Sequence, residues 1–229
     1  ALQVLSCIYR LQNKKEEAEK ILDTLGRYDP LNHFARFENY LWQPTTERKA
    51  RFTDLIRNEM PQETYLELAI WYFNIGRKEE AIKVLQLSPA NAEVLYWESF
   101  LENKSLNVAQ LHPDLVFPFR SETAEVLKTL IKKNDHWLLK YHLALIQWSY
   151  DNIPEAKQLF ETCGNTSDYA AFYAARARFN MRNDSSEVLS DPQQAAKLDK
   201  QQWRYGSSLV NYYLSKKQYE QALMVAKQY

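Results

Sequence analysis

The chain has 229 residues, 45% hydrophobic and 25% charged, which is enough apolar material for a large buried core. Twenty-nine basic residues balance twenty-nine acidic ones, so no global field draws nucleic acid or an anionic membrane surface. No run approaches the ~20 apolar residues of a membrane-spanning helix, and Cys7 and Cys163, with no CxxC pair and no histidine at ligand spacing, indicate neither a disulfide framework nor a zinc site.

Four glycines and eight prolines punctuate the whole chain, and apolar residues recur every three or four positions, which predicts helices throughout. The opening ALQVLSCIYRL already has that rhythm, with Leu2, Leu5, Ser6 and Tyr9 on one helix face; Ala18, Leu22 and Leu25 follow on a second, before Pro30. It lacks an initiator Met, and the closing QALMVAKQY keeps the rhythm, so we expect a segment of a longer protein. Its compartment is left open, with the cytoplasm as the default.

Residues 65–89 give the clearest pattern. Tyr65, Leu68, Ala69 and Tyr72 share one helix face, Gly76 supplies a turn with a left-handed backbone, and Ala81, Ile82 and Leu85 face back from a second helix that Ser88-Pro89 ends. Small residues at 69 and 81 fit a close crossing of the two axes. A further copy reads Leu143, Ala144, Ala156 and Phe160, with Gln147 where an aromatic is expected and Trp148 beside it.

Two intervals are longer than a hairpin needs. Residues 104–120 carry Leu111, Leu115, Val116, Phe117 and Phe119, broken by Pro113 and Pro118. A segment so apolar either packs on its own helices or borders a binding surface. Residues 182–192 are polar and turn-rich and read as a solvated connector, with Ser190 or Asp191 capping the next helix.

The spacing of the three clear copies resembles the tetratricopeptide repeat, a helix-turn-helix of ~34 residues. Second-helix alanines placed by that pattern fall at Ala18, Ala50, Ala81, Ala124, Ala156, Ala195 and Ala222, with degenerate copies at 50, 124 and 195. The resemblance implies one all-α domain over residues 1–229, a right-handed superhelix of about seven antiparallel helix hairpins. It further implies that the first helices line a concave surface holding a peptide or protein segment. Matching positions are Glu67 and Phe73 in the third hairpin, Tyr96 and Trp97 in the fourth, Tyr141, His142 and Trp148, then Tyr173, Arg176 and Phe179, and last Asn211. The competing assignment for these side chains is packing between neighbouring repeats.

The runs LNHFARFENYLWQP and AEVLYWESFLENK are also similar to the repeat region of large bacterial proteins that carry an N-terminal β-rich, sugar-binding-like domain. That resemblance implies a scaffold beside carbohydrate, or sugar held in an aromatic groove. A toroid glycosidase or lyase, which also stacks helical hairpins, is the catalytic alternative. Such toroids generally lack the Ala/Gly hairpin signature seen here, and other enzyme classes are disfavoured because GxSxG, GxxxxGK, GxGxxG and HExxH are all missing from the sequence. The acidic pairs Glu16-Glu17 and Glu79-Glu80 fall at starts of second helices, where acids complement the helix dipole. The expectation is therefore a non-catalytic interaction module without cofactor, whose partner is a protein or peptide, other domains of its own parent included, rather than nucleic acid or membrane.

Overall fold

A computed structural model describes residues 1–183 and 189–229. The fold is all-α. Its described residues form fourteen α-helices, and they divide into two compact units, Ala1–Leu106 and Asn107–Tyr229. The first unit holds α1 (Leu2–Leu11), α2 (Lys15–Tyr28), α3 (His33–Trp42), α4 (Thr46–Thr53), α5 (Pro61–Asn74), α6 (Lys78–Leu85) and α7 (Ala92–Glu102). The second holds α8 (Ser121–Lys133), α9 (Trp137–Ser149), α10 (Ile153–Thr162), α11 (Ala170–Asn183), α12 (Ser190–Leu198), α13 (Trp203–Ser215) and α14 (Tyr219–Ala226).

One hairpin geometry recurs four times. Asn13, Gly76, Asp151 and Lys217 all adopt a left-handed backbone, with φ of 56°, 76°, 60° and 58°, directly after a first helix. The next amide then donates to the carbonyl five residues back: Lys14 to Tyr9, Arg77 to Tyr72, Asn152 to Gln147 and Gln218 to Tyr213, all within 2.8–2.9 Å. This closure satisfies carbonyls that the helix end would otherwise orphan. Five residues after each left-handed position comes a buried alanine, Ala18, Ala81, Ala156 or Ala222. Ala69 and Ala81 are both fully buried where α5 meets α6.

The degenerate copies depart from this geometry in instructive ways. Ala50 is only half-buried on α4, and Phe52 takes its place in the core, 5.1 Å from Phe37 and 5.5 Å from Tyr65 between ring centres. The fourth expected pair is divided: α7 packs on α6 within the first unit and α8 on α9 within the second, the boundary falling inside the 104–120 insertion. That insertion alternates. Val108, Val116 and Pro118 are buried, whereas Leu115, Phe117 and Phe119 are 72%, 56% and 52% exposed, so Phe117 is a surface residue rather than a core one.

The first unit is tied together by a buried ionic network. The Arg10 guanidinium donates from Nε to Glu38 Oε2 (2.7 Å) and from Nη2 to Glu80 Oε1 (3.0 Å), while the Tyr72 hydroxyl donates to Glu38 Oε1 (2.6 Å). Arg77 adds a second cation on Glu80 at 2.7 Å. Burial alone would raise the Glu80 carboxyl, but the hydrogen bonds from Arg77 and Arg10 outweigh it and hold the group below its ordinary range. Glu80 is therefore a buried partner of two arginines and not a solvated helix-dipole acid; its neighbour Glu79 is exposed.

Candidate functional site

Most of the residues expected to line a groove lie inside the protein. Tyr96 and Trp97 on α7 are fully buried, with half-buried Phe73 edge-on to Trp97 at 5.6 Å and to Phe100 at 5.9 Å. Tyr141 and His142 on α9 are buried too, Tyr141 meeting Phe172 at 5.4 Å. Burial drives the His142 pKa down to about 3, which keeps its ring neutral. Phe179 is fully buried, and half-buried Trp148 stands edge-on to it at 5.4 Å. Tyr173 donates its hydroxyl to the carbonyls of Asn165 (2.9 Å) and Ser167 (3.0 Å). Packing between helices encloses Tyr96, Trp97, Tyr141, His142, Tyr173 and Phe179, which corrects the groove assignment for these six, while Phe73 and Trp148 keep a partly exposed face. Only Glu67 on α5 and Asn211 on α13 are exposed, and they lie in different units.

Arg176 is an internal lock. Its Nε and Nη2 hold both carboxylate oxygens of Asp191 at 2.7 Å, Nη1 donates to the Gly164 carbonyl (2.7 Å), and Nη2 also reaches Asn165 Oδ1 (2.6 Å). The guanidinium plane lies over the Phe172 ring at 4.7 Å. Asp191 is accordingly drawn into the core and caps nothing, and α12 starts without a side-chain cap. Residues 184–188, the middle of the expected polar connector, lie outside the described residues.

An open concavity does exist in the second unit, one helix face away from Arg176. A cavity of about 480 Å³ lies between α11, α12 and α13. Its α11 wall is Ala174, Ala177, Arg178, Met181 and Arg182, positions three and four apart that share one face. The α13 wall, from the first helix of the following hairpin, presents Arg204, Tyr205, Ser208, Asn211 and Tyr212 in the same spacing, while Pro192 and Ala195 of α12 form part of the floor. Asn211, one of the expected groove residues, is thus placed in a real cavity.

The electrostatics of this cavity are one-sided. Three arginines line it and no described lining residue is a carboxylate. Among the described residues Arg204 reaches the Gln202 amide oxygen (3.3 Å) and the Trp203 face (5.1 Å). Asp199, ahead of α13, accepts the amides of Gln201 and Gln202 at 3.1 and 3.2 Å. Burial, with Asp199 adding to it, raises the Tyr205 hydroxyl, which remains a protonated donor. A separate hollow beside the insertion, about 590 Å³, holds His112, His136 and Asp168. Among the described residues no group of three is placed to bind a metal.

No protein-family model matches this sequence, and no curated protein matches it either.

The tetratricopeptide spacing does not point to the arginine face, because it selects the opposite side of α11. Positions 173, 176 and 179 point inward; 174, 178 and 181 line the cavity. A usable signal was present in the sequence. Arg178 and Arg182 are a turn apart, and no acid stands three or four residues from Arg178.

Proposed function

We propose that the chain is a non-catalytic, tetratricopeptide-like interaction module that holds a peptide or protein segment in the groove between α11 and α13. The observation that carries this reading is the cavity itself. It is walled by the first helices of two successive hairpins, floored by small apolar side chains and rimmed by exposed polar ones. Those are the features of a site that takes side chains from a partner and fixes them with a few polar groups. The carboxylates that a two-acid glycosidase mechanism requires are not among its described lining residues, and the aromatic rings that would cradle sugar are mostly buried.

The test is a display of random peptides against the intact chain, repeated with Ser208→Trp, whose indole fills the groove from an exposed position. Retention of peptides by the parent and their loss from the variant, with helicity unchanged by circular dichroism, is the expected result. Equal retention by both would move binding elsewhere and end this reading.

A further inference from the structure

We propose, resting on the groove reading above, that the segment it takes is acidic: carboxylate side chains set beside an aliphatic one. Arg178 and Arg182 stand one turn apart on α11, and Arg204 faces the same space from α13. Among the described residues neither Arg178 nor Arg182 makes an ion pair, and all three side chains are exposed. Three other arginines of this fold are paired with acids, Arg10 and Arg77 with Glu80 and Arg176 with Asp191. The chain as a whole is neutral, so the positive character of the groove is local and is not a by-product of composition.

Guanidinium groups hold carboxylates through paired, parallel N–H donors, which gives direction as well as attraction. The Ala177 and Ala195 methyls offer an apolar floor where a carboxylate would find no partner and an aliphatic side chain would. Opposite charge around a small apolar floor therefore matches an acidic, partly aliphatic peptide. Single-stranded nucleic acid fits less well, because three cations around a cavity of about 480 Å³ do not make a basic track for a phosphate backbone.

The experiment titrates the intact chain with fluorescent peptides of equal length built from Asp and Leu, Asn and Leu, or Lys and Leu, and with an oligothymidine. The Asp-Leu peptide should bind about tenfold more tightly than its Asn-Leu counterpart, and its affinity should fall as salt is raised. Arg178→Gln and Arg204→Gln should each weaken it by roughly fivefold with unchanged circular dichroism, while Arg178→Lys should retain part of the affinity. Equal binding of the Asp and Asn peptides, or indifference to both Arg→Gln changes, would overturn the acidic specificity while leaving the groove reading standing. Tighter binding of the oligothymidine would overturn it in favour of nucleic acid. If Ser208→Trp removed none of the peptide binding, the groove reading itself would fail, a result separable from the others.

Discussion

Arg176 and Arg178 are two positions apart on α11, and a helix turns through roughly 200° over that distance. One side chain is therefore sealed against Asp191 and Phe172, the other stands in the open groove. Removing the buried one leaves the Asp191 carboxylate without its cation, so Arg176→Ala should cost ~3 to 5 kcal/mol in a denaturant melt. A cost under ~1 kcal/mol would show that the pair is dispensable. His142 gives a second test, by pH. Its folded pKa is about 3 against an ordinary 6.5, so below pH 6.5 the unfolded chain takes up the proton first. Stability is full above that value and declines as pH falls toward 3, by up to ~1.4 kcal/mol per pH unit. His33 and His136, also lowered by burial, act with the same sign. In His142→Phe the dependence of stability on pH between 5 and 7 should flatten; an unchanged slope would assign it to the other two.

At the scale of the helix hairpin, the recurring unit is the turn and the alanine five residues beyond it. Ala81 is wholly enclosed between α5 and α6, so Ala81→Leu should overpack the crossing and cost ~1 to 3 kcal/mol in thermal unfolding. Lys217 adopts its left-handed turn at a conformational cost that glycine avoids, against the extra freedom glycine brings to the unfolded chain. Lys217→Gly should raise stability by ~0.5 kcal/mol, and a loss of that size would show that the lysine stem contributes packing. These turns also explain which hairpins could be read in advance. Where Gly76 marks the turn, the pattern was plain. At Lys217 the turn residue carries no left-handed signature, and Gly206 stands in α13 where the third hairpin has Tyr65, so the last hairpin was placed only by its alanine. The missing bulk at 206 is supplied by the Tyr229 ring, which occupies the space a Cβ would need while its hydroxyl donates to the Ala196 carbonyl at 2.9 Å. Short-range spacing cannot register such a substitution, because its two halves are separated along the chain.

Each of the two units has its own aromatic core. Phe34, Phe37, Phe52 and Tyr72 fill the first; Tyr141, Phe160, Phe172 and Phe179 fill the second. Residues 1–106 and 107–229, produced separately, should therefore each show a helical spectrum and a cooperative melt. A half that stays unfolded alone would mean that its core depends on the other. Composition and periodicity made the all-α class legible, since helical periodicity is a local property. The division was not legible, nor was the groove's charge, because both depend on which face of a helix meets which neighbour.

The ionic network in the first unit also bears on how such an array could change its length. Arrays of this kind grow and shrink by copying or dropping whole hairpins, and such an edit is tolerated when each hairpin answers only to the one beside it. Arg10, however, closes on Glu80, seventy positions along the chain, and holds Glu38 on the way. A hairpin duplicated anywhere between them would part the cation from its carboxylates and strand charges in the interior. The first three hairpins are thus bound to one another in number as well as in shape, and duplication is resisted wherever it would fall between Arg10 and Glu80.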